Sequence, residues 1–574
     1  MAYMFKSIIV ISLFSLFACS VEPSSTIQAP TENDQSDPVT VFVNGDIVTM
    51  DGQNSTAPAV AVQGGTILKV GSESQVLAAA GNNSIIRDLQ GATLMPSFID
   101  AHGHISLTMT TLASANLSSP PVGEVKSVND IVAVLRDFQQ QNPQSPLIFG
   151  WGYDDSLLDQ QRHPTRFDLD KVSTSVPVVA LHVSGHLLSC NSRCLELVAI
   201  DDETANPPGG VIRRVPGGLT PNGVLEESAI LPVIDILPKP DEGVRIALLE
   251  RAQQYYASYG VTTVQDGAAS GDDIDLLIKA ALQDKLYLDV VAYPLAPTMG
   301  DRLSDYGPSS SYNKGFRIGG IKLVLDGSPQ GKTAWLSEPY FHPPHGKPTD
   351  YVGYPILSDQ AVAEFVDYAF RNQVQLMAHA NGDAAADQLI AAIAAGNAQY
   401  GRLDRRTVMI HAQTVRDNQI DSMLAQGIMP SYFSAHTFYW GDWHRDSVFG
   451  LERASRISPL RSSTDRGLRY STHNDTPIVP SDMMRLLWAS VNRRTRSGEV
   501  LGKSQQATVM EALRSITIDA AYQYFEEHSK GSIEVGKRAD LVILDKNPLN
   551  VPPLTIKDIQ VLETIKDGKT VFSR

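Results

Sequence analysis

The chain has 574 residues, 43% hydrophobic and 19% charged. That is too long for one simple core, so a large domain with a smaller companion is expected. Acidic residues (63) outnumber Lys plus Arg (47), giving a formal charge of -16. With no basic stripe anywhere, this argues against a nucleic-acid partner, because phosphate binding needs clustered Lys and Arg.

In chain order, "MAYMFKSIIVISLFSLFACS" opens with Lys6, runs apolar from Ile8 to Ala18 and reaches Cys19. The run is too short to span a bilayer and reads as an export signal over residues 1–19, outside the fold. "LFAC" resembles a bacterial lipobox: Leu16 and Ala18 fit, Phe17 is bulkier than usual, and Cys19 would become the lipidated first residue. The alternative is ordinary signal cleavage and a soluble product. The polar residues 20–38 are expected to form a flexible tether. The expected location is the bacterial cell envelope, with membrane association only through the lipid.

Residues 39–94 read as short alternating strands split by Asn-Gly, Gly-Gly and Gly-Ala turns, and residues 516–574 have the same character. Two such segments can pair into one small β-sandwich that clasps the region between them. Within residues 95–515 the strand candidates are "FIDAHGH", "VTTVQDG", "LDVVAYP", "IKLVLDG", "VQLMAHANGD", "TVMIHAQTV", "IMPSYFSAH" and "LRYSTHNDTP". Stretches with helical periodicity, such as "AVAEFVDYAFRN", separate them. Eight strands alternating with helices specify an α/β fold, a (β/α)8 TIM barrel with its active site at the C-terminal strand ends. The span of about 112–245 is too long for one connection and is expected to hold an inserted lid subdomain.

The first strand candidate ends in His102 and His104. Residues i and i+2 of a strand share a face, so both imidazoles can converge on one metal ion. His379, His411 and Asp475 stand at later strand ends.

The motifs "MPSFIDAHGH", "GWGYDDSLL", "HPTRFDLD", "HVSGHLLSCNS", "PNGVLEE", "GGIKLVLDGSPQGKTAWLSEPY", "AHANGD", "IHAQ", "STHNDTP" and "GSIEVGKRADLVILDKNPL" occur in that order. Together they resemble the amidohydrolase superfamily, in its YtcJ-like branch (amidohydrolase family 3). One departure is Ser97, where the family usually has Gly. The resemblance implies that His102 and His104 hold one metal and that His379 and His411 form a second position. Neutral imidazoles suit Zn²⁺, one ion or two, although other divalent metals fit the same donors. Metals and burial would favour a neutral Lys322 amine. Such an amine can take up CO₂ to form a carbamate, and the resemblance implies a carboxylated Lys322 bridging two metals. The alternative is a strand lysine whose stem packs while its head reaches solvent. Asp475 occupies the place of the superfamily's catalytic aspartate, a proton shuttle beside a metal-activated water. The alternative is a helix cap before Pro477.

His182, His186, Cys190 and Cys194 stand four apart, a Cys₂His₂ face if they shared a helix. "VPVVALHV" reads as a strand and "VSGH" as a turn, so no second zinc site is expected there; Cys190 and Cys194 are expected as free, buried thiols. The resemblance places His186 and Asn191 near the pocket as lid contacts to substrate. In "SAHTFYWGDWH", His436 and Trp440 are expected to line an apolar substrate pocket, with His436 near the substrate carbonyl.

The function expected is metal-dependent hydrolysis of a non-peptide C–N bond in a small N-substituted or cyclic amide. The same site could deaminate a ring. A different class, a surface lipoprotein that binds without turnover, is disfavoured because every catalytic position is filled. Oligomeric state is not legible. Lipidation is expected to keep the mature protein in a membrane fraction. Cys19→Ser should release it unprocessed or soluble, and an unchanged, processed, membrane-bound product would refute the lipid anchor.

Overall fold

A computed structural model describes residues 38–238, 240–344 and 346–574. The export signal and all but the last residue of the tether lie outside the described residues.

All eight strand candidates contain a strand, and a ninth, Phe316–Ile318, lies outside them. In chain order the nine are β1 (Phe98–Ile99), β2 (Val261–Ala269), β3 (Asp289–Pro294), β4 (Phe316–Ile318), β5 (Gly320–Val324), β6 (Gln375–Ala380), β7 (Thr407–His411), β8 (Ile428–Tyr432) and β9 (Ser471–Thr472). They form two parallel sheets, β1-β2-β3-β4 and β5-β6-β7-β8-β9. Nearly every residue in them is buried, as expected of parallel strands covered on both faces. Single parallel bridges join the sheets at both seams, Leu295 to Lys322 and Gly103 to Thr476. β4 and β5 follow one another beside β3, so together they fill one strand position. Gly319 separates them, and a Cβ there would come within 2.4 Å of the Tyr293 ring. The order and both seams are consistent with the expected eight-stranded α/β barrel.

The helices between strands follow from their sequence. Asp359–Arg371 is capped by Ser358, whose side chain accepts the amide N–H of Ala361, and it buries Val362, Val366, Ala369 and Phe370 on one face.

The two chain ends share a six-stranded sheet. Its order is Lys569–Ser573, Val561–Lys566, Leu541–Leu544, Thr93–Pro96, Asp46–Val48 and Thr56–Ala57. A second sheet of four strands, including Thr40–Val43 and Ala59–Gln63, packs its Phe42 and Val60 with Leu94, Leu541 and Ile543. The end segment joins this unit later than residue 516. Helix Ile518–Gln523 and Tyr524 pack instead against Ile99, Val291 and Met377, because the Tyr524 hydroxyl and the Gln523 amide donate to the carbonyls of Asp100 and Ala101, at 2.8 and 2.6 Å.

Residues 112–245 contain a further six-stranded sheet, ordered Gly210–Arg214, Pro221–Glu227, Leu187–Cys190, Val178–His182, Ile148–Tyr153 and Ala115–Asn116. Its hairpin between His182 and Leu187 turns at Gly185, φ 73°, and carries His186 toward the C-terminal ends of the parallel strands.

Candidate metal centre

The parallel strands deliver six ionisable side chains to one place. His102 and His104 follow β1, Lys322 lies in β5, His379 in β6, His411 ends β7 and Asp475 follows β9. Their tautomers can be read from obligatory donors and acceptors. Gln265 donates its amide N–H to the Tyr524 hydroxyl (2.7 Å) and the Ala101 carbonyl (3.1 Å), so its Oε1 is an acceptor. That oxygen lies 2.5 Å from His102 Nδ1, which therefore carries the proton. The lone pair of His102 is thus on Nε2, facing the site. His379 Nε2 faces the Gly327 carbonyl at 3.1 Å and the Asn381 amide nitrogen at 3.0 Å, which turns Nδ1 toward the site.

The side chains converge. Asp475 Oδ1 lies 3.1 Å from His104 Nε2 and 3.4 Å from His102 Nε2, and Lys322 Nζ lies 3.2 Å from His102 Nε2. His379 Nδ1 meets His411 Nε2 at 3.0 Å, and His411 Nε2 is 4.0 Å from Asp475 Oδ2. Two ligands each about 2.0–2.1 Å from a tetrahedral zinc are separated by distances of this order. His102, His104 and Asp475 form a compact donor group, and the pair His379 and His411 stands beside it.

Burial decides the protonation states. It holds His102, His379 and His411 well below the ordinary imidazole range, so they stay neutral, the form that binds metal. It lowers the Lys322 amine to about 7, opposed by Asp475. Burial alone would raise Asp475, and the hydrogen bond to His104 opposes that and favours its carboxylate form. A divalent cation fits this set: neutral nitrogen donors, one carboxylate and a lysine that ionises near neutrality. His411 and Asp475 also sit at φ 70° and 55°, backbone conformations that cost energy in residues other than glycine and cluster where function requires them.

A cavity of about 750 Å³ opens on this centre. His186 and Asp266 also line it, and its wall is largely apolar, including Met109, Phe138, Leu147, Phe149, Leu237 and Leu248. Three other expected contacts are not brought to the cavity. Asn191 is wholly buried and caps helix Ser192–Leu197. Its amide donates to the carbonyls of Ser173 and Val176, and its oxygen accepts from Val178 and Cys194, so it has nothing left to offer substrate. His436, 2% exposed, pairs with His444 at 3.0 Å. Trp440, equally buried, donates its indole N–H to Asp154 at 2.6 Å. The aromatic segment "HTFYWGDW" is a helix packed against the insertion rather than a cavity wall.

His182, His186, Cys190 and Cys194 do not share a helical face, since the first and third lie on paired antiparallel strands; both cysteines are free and buried. A different group, Asp154, Asp155 and His182, brings three donor atoms close together. Yet His182 Nδ1 accepts the backbone N–H of Ser184 at 3.1 Å, so its proton is on Nε2, which points at Asp155 Oδ1 3.1 Å away. His182 therefore offers no lone pair to a metal there.

Several further residues support the centre without standing out in the sequence. Asp326 accepts three backbone N–H groups, from Trp335, Asn381 and Gly382 at 2.8–2.9 Å, and so fixes the loop after β6. His473 meets His411 Nδ1 at 3.1 Å. Both lie inside quoted motifs, and their polar character at buried strand ends was the available signal. Gln265 had no local signal, because its partners His102, Ala101, Met377 and Tyr524 lie far away in sequence.

Gln265→Leu should remove the acceptor that sets the His102 tautomer. Metal affinity should fall about 10- to 100-fold, as is typical when a ligand's outer partner is lost. Chelator competition followed by elemental analysis checks this; unchanged affinity would show that Gln265 does not orient the ligand.

Comparison with known proteins agrees with this geometry. The model of the amidohydrolase family matches residues 86–572. An N-substituted formamide deformylase from Arthrobacter pascens is 28% identical over 553 residues, covering 93% of this chain and 98% of that protein. The fold is shared with two metal-dependent hydrolases of uncharacterized activity. The one from Pyrococcus horikoshii has a TM-score of 0.71 at 23% identity, covering 90% of this chain and 99% of the other. The one from Pyrococcus furiosus has a TM-score of 0.69 at 25% identity, covering 89% and 100%. With the family match spanning most of its length and strand-end histidines and an aspartate gathered at one cavity, the chain belongs to the amidohydrolase family.

Proposed function

We propose that the protein hydrolyses a non-peptide C–N bond in a small N-substituted or cyclic amide, with zinc or a similar divalent cation held by His102, His104, His379, His411 and a carboxylated Lys322. The observation that carries this reading is Asp475, whose carboxylate lies among the metal-binding nitrogens at the floor of an apolar-walled cavity. The formamide deformylase relative supports an amide substrate. The apolar wall supports a hydrophobic or aromatic substituent. The chain is further proposed to be exported and held at the cell envelope by lipid on Cys19.

When bound, a divalent cation polarises the scissile carbonyl and lowers the pKa of a water to about 7. Asp475 supplies the proton transfers. Its low proton affinity keeps it ionised through the neutral range, ready to take a proton from the attacking water. After attack it returns that proton to the departing nitrogen, so that an amine leaves rather than an amide anion. The apolar wall holds the substituent and keeps bulk water from the reacting carbonyl.

The decisive experiment is turnover of N-acyl, formamide and cyclic amides by the metal-loaded full chain, with chelator as control. Asp475→Asn preserves the size of the side chain while removing its ability to accept a proton. It should retain metal but lose roughly 10²- to 10⁴-fold in kcat. Near-parental turnover with metal retained would exclude Asp475 as the shuttle.

The Lys322 amine titrates at about 7, so it is mostly neutral at pH 8 and mostly protonated at pH 6. Only the neutral amine adds CO₂, giving a carbamate and releasing a proton. Metal uptake by apoprotein in bicarbonate should therefore rise from pH 6 to pH 8, whereas Lys322→Ala should bind little metal at either pH and recover part of it with short carboxylic acids. An atomic-resolution map with a bare ε-amine in a fully loaded site would overturn the carbamate.

A further inference from the structure

The hairpin turn of the insertion leans over the metal-binding end of the cavity, and the His186 ring centroid lies 5.0 Å from that of His379. On its other side, His186 Nδ1 meets Glu227 Oε2 at 2.7 Å. The two residues are also joined through the backbone, where the Glu227 N–H donates to the His186 carbonyl at 2.8 Å. A carboxylate can only accept, so the proton between them belongs to Nδ1. Nε2 makes no hydrogen bond among the described residues.

Glu227 is held in place at a cost. It is 6% exposed and sits at φ 50°, ψ -125°, a conformation that residues with a Cβ rarely adopt. Such strain persists only where the surroundings over-determine it. Its second oxygen, Oε1, is fully buried with no hydrogen-bond partner, an arrangement that native structures avoid unless something requires it. That oxygen is admitted only because residue 327 is glycine: a Cβ there would come within 2.2 Å of it. Gly327 is also the residue whose carbonyl fixes His379 Nε2. One glycine therefore orients a metal-binding histidine and makes room for the carboxylate behind His186.

We propose that Glu227 is a positioning residue for the hydrolytic site: it fixes the ring plane and the Nδ1 proton of His186, so that Nε2 is presented as the hydrogen-bonding contact to the scissile amide. The identity of the substrate rests on the amidohydrolase reading. The dyad itself rests on the geometry of the insertion.

The test is a double-mutant cycle in the zinc-loaded full chain, with His186→Ala, Glu227→Gln and the double variant. Two quantities are measured beside metal content: kcat/KM on the best amide of the panel, and the affinity for benzohydroxamic acid, an amide-like metal-binding probe. Glu227→Gln keeps the size of the side chain and removes its charge. Each single variant should retain full metal and lose about tenfold in both quantities, the scale of one hydrogen bond to a charged group. The double variant should lose no more than His186→Ala alone, because Glu227 acts through His186. Losses that multiply in the double variant would make Glu227 a structural residue and overturn the proposal, as would parental behaviour of Glu227→Gln. A parent that binds the hydroxamate but hydrolyses no amide would refute the amidohydrolase reading while the binding cycle still decides the dyad. A metal-loaded parent that does neither would overturn both.

Discussion

Five nitrogen-bearing side chains and one carboxylate are gathered, most of them buried, at one end of the cavity, and the surrounding structure is arranged to make that tolerable. His379 Nδ1 and His411 Nε2 lie 3.0 Å apart, close enough for neutral rings to share one N–H or to meet a common cation. Burial keeps these rings neutral, the form that binds a divalent cation.

Each donor is aimed by something behind it. Gln265 sets His102, the Gly327 carbonyl sets His379, and His473 backs His411. The supports come from different parts of the chain. Gln265 is held by Tyr524, whose segment lies beneath the strands close to the C-terminal end of the sequence. The centre thus depends on the whole α/β body being closed, and an error in register at one strand would misdirect a ligand on another. Asp326 plays the same part for the loop beyond β6, spending its carboxylate on three backbone donors.

The insertion adds what the strand ends lack. It contributes Phe138, Leu147, Phe149 and Leu237 to an apolar wall and brings His186, backed by Glu227, to the cavity. Its hydrogen bond from Trp440 to Asp154 ties it to the helix after β8. The apolar wall and the donor group thus come from different parts of the chain.

His102, His104, Lys322, His379, His411 and Asp475 could be picked out from sequence because each ends or occupies a buried strand, where a polar residue stands out against apolar neighbours. The alternation of strands and helices was legible for the same reason: periodicity is local. Asn191, His436 and Trp440 were misplaced because a polar or aromatic residue beside a motif carries no mark of which way it faces. Asn191 turned inward to cap a helix, and the two aromatic-segment residues turned toward partners in their own helix and in the insertion. Gln265, Gly327 and Glu227 lie inside quoted segments but carry no mark of their roles, since their partners stand far away along the chain. Local pattern determined which residues could hold a metal; only the closed tertiary structure, which brings distant strands within hydrogen-bonding distance, decided which nitrogen of each ring faces the site and what holds it there.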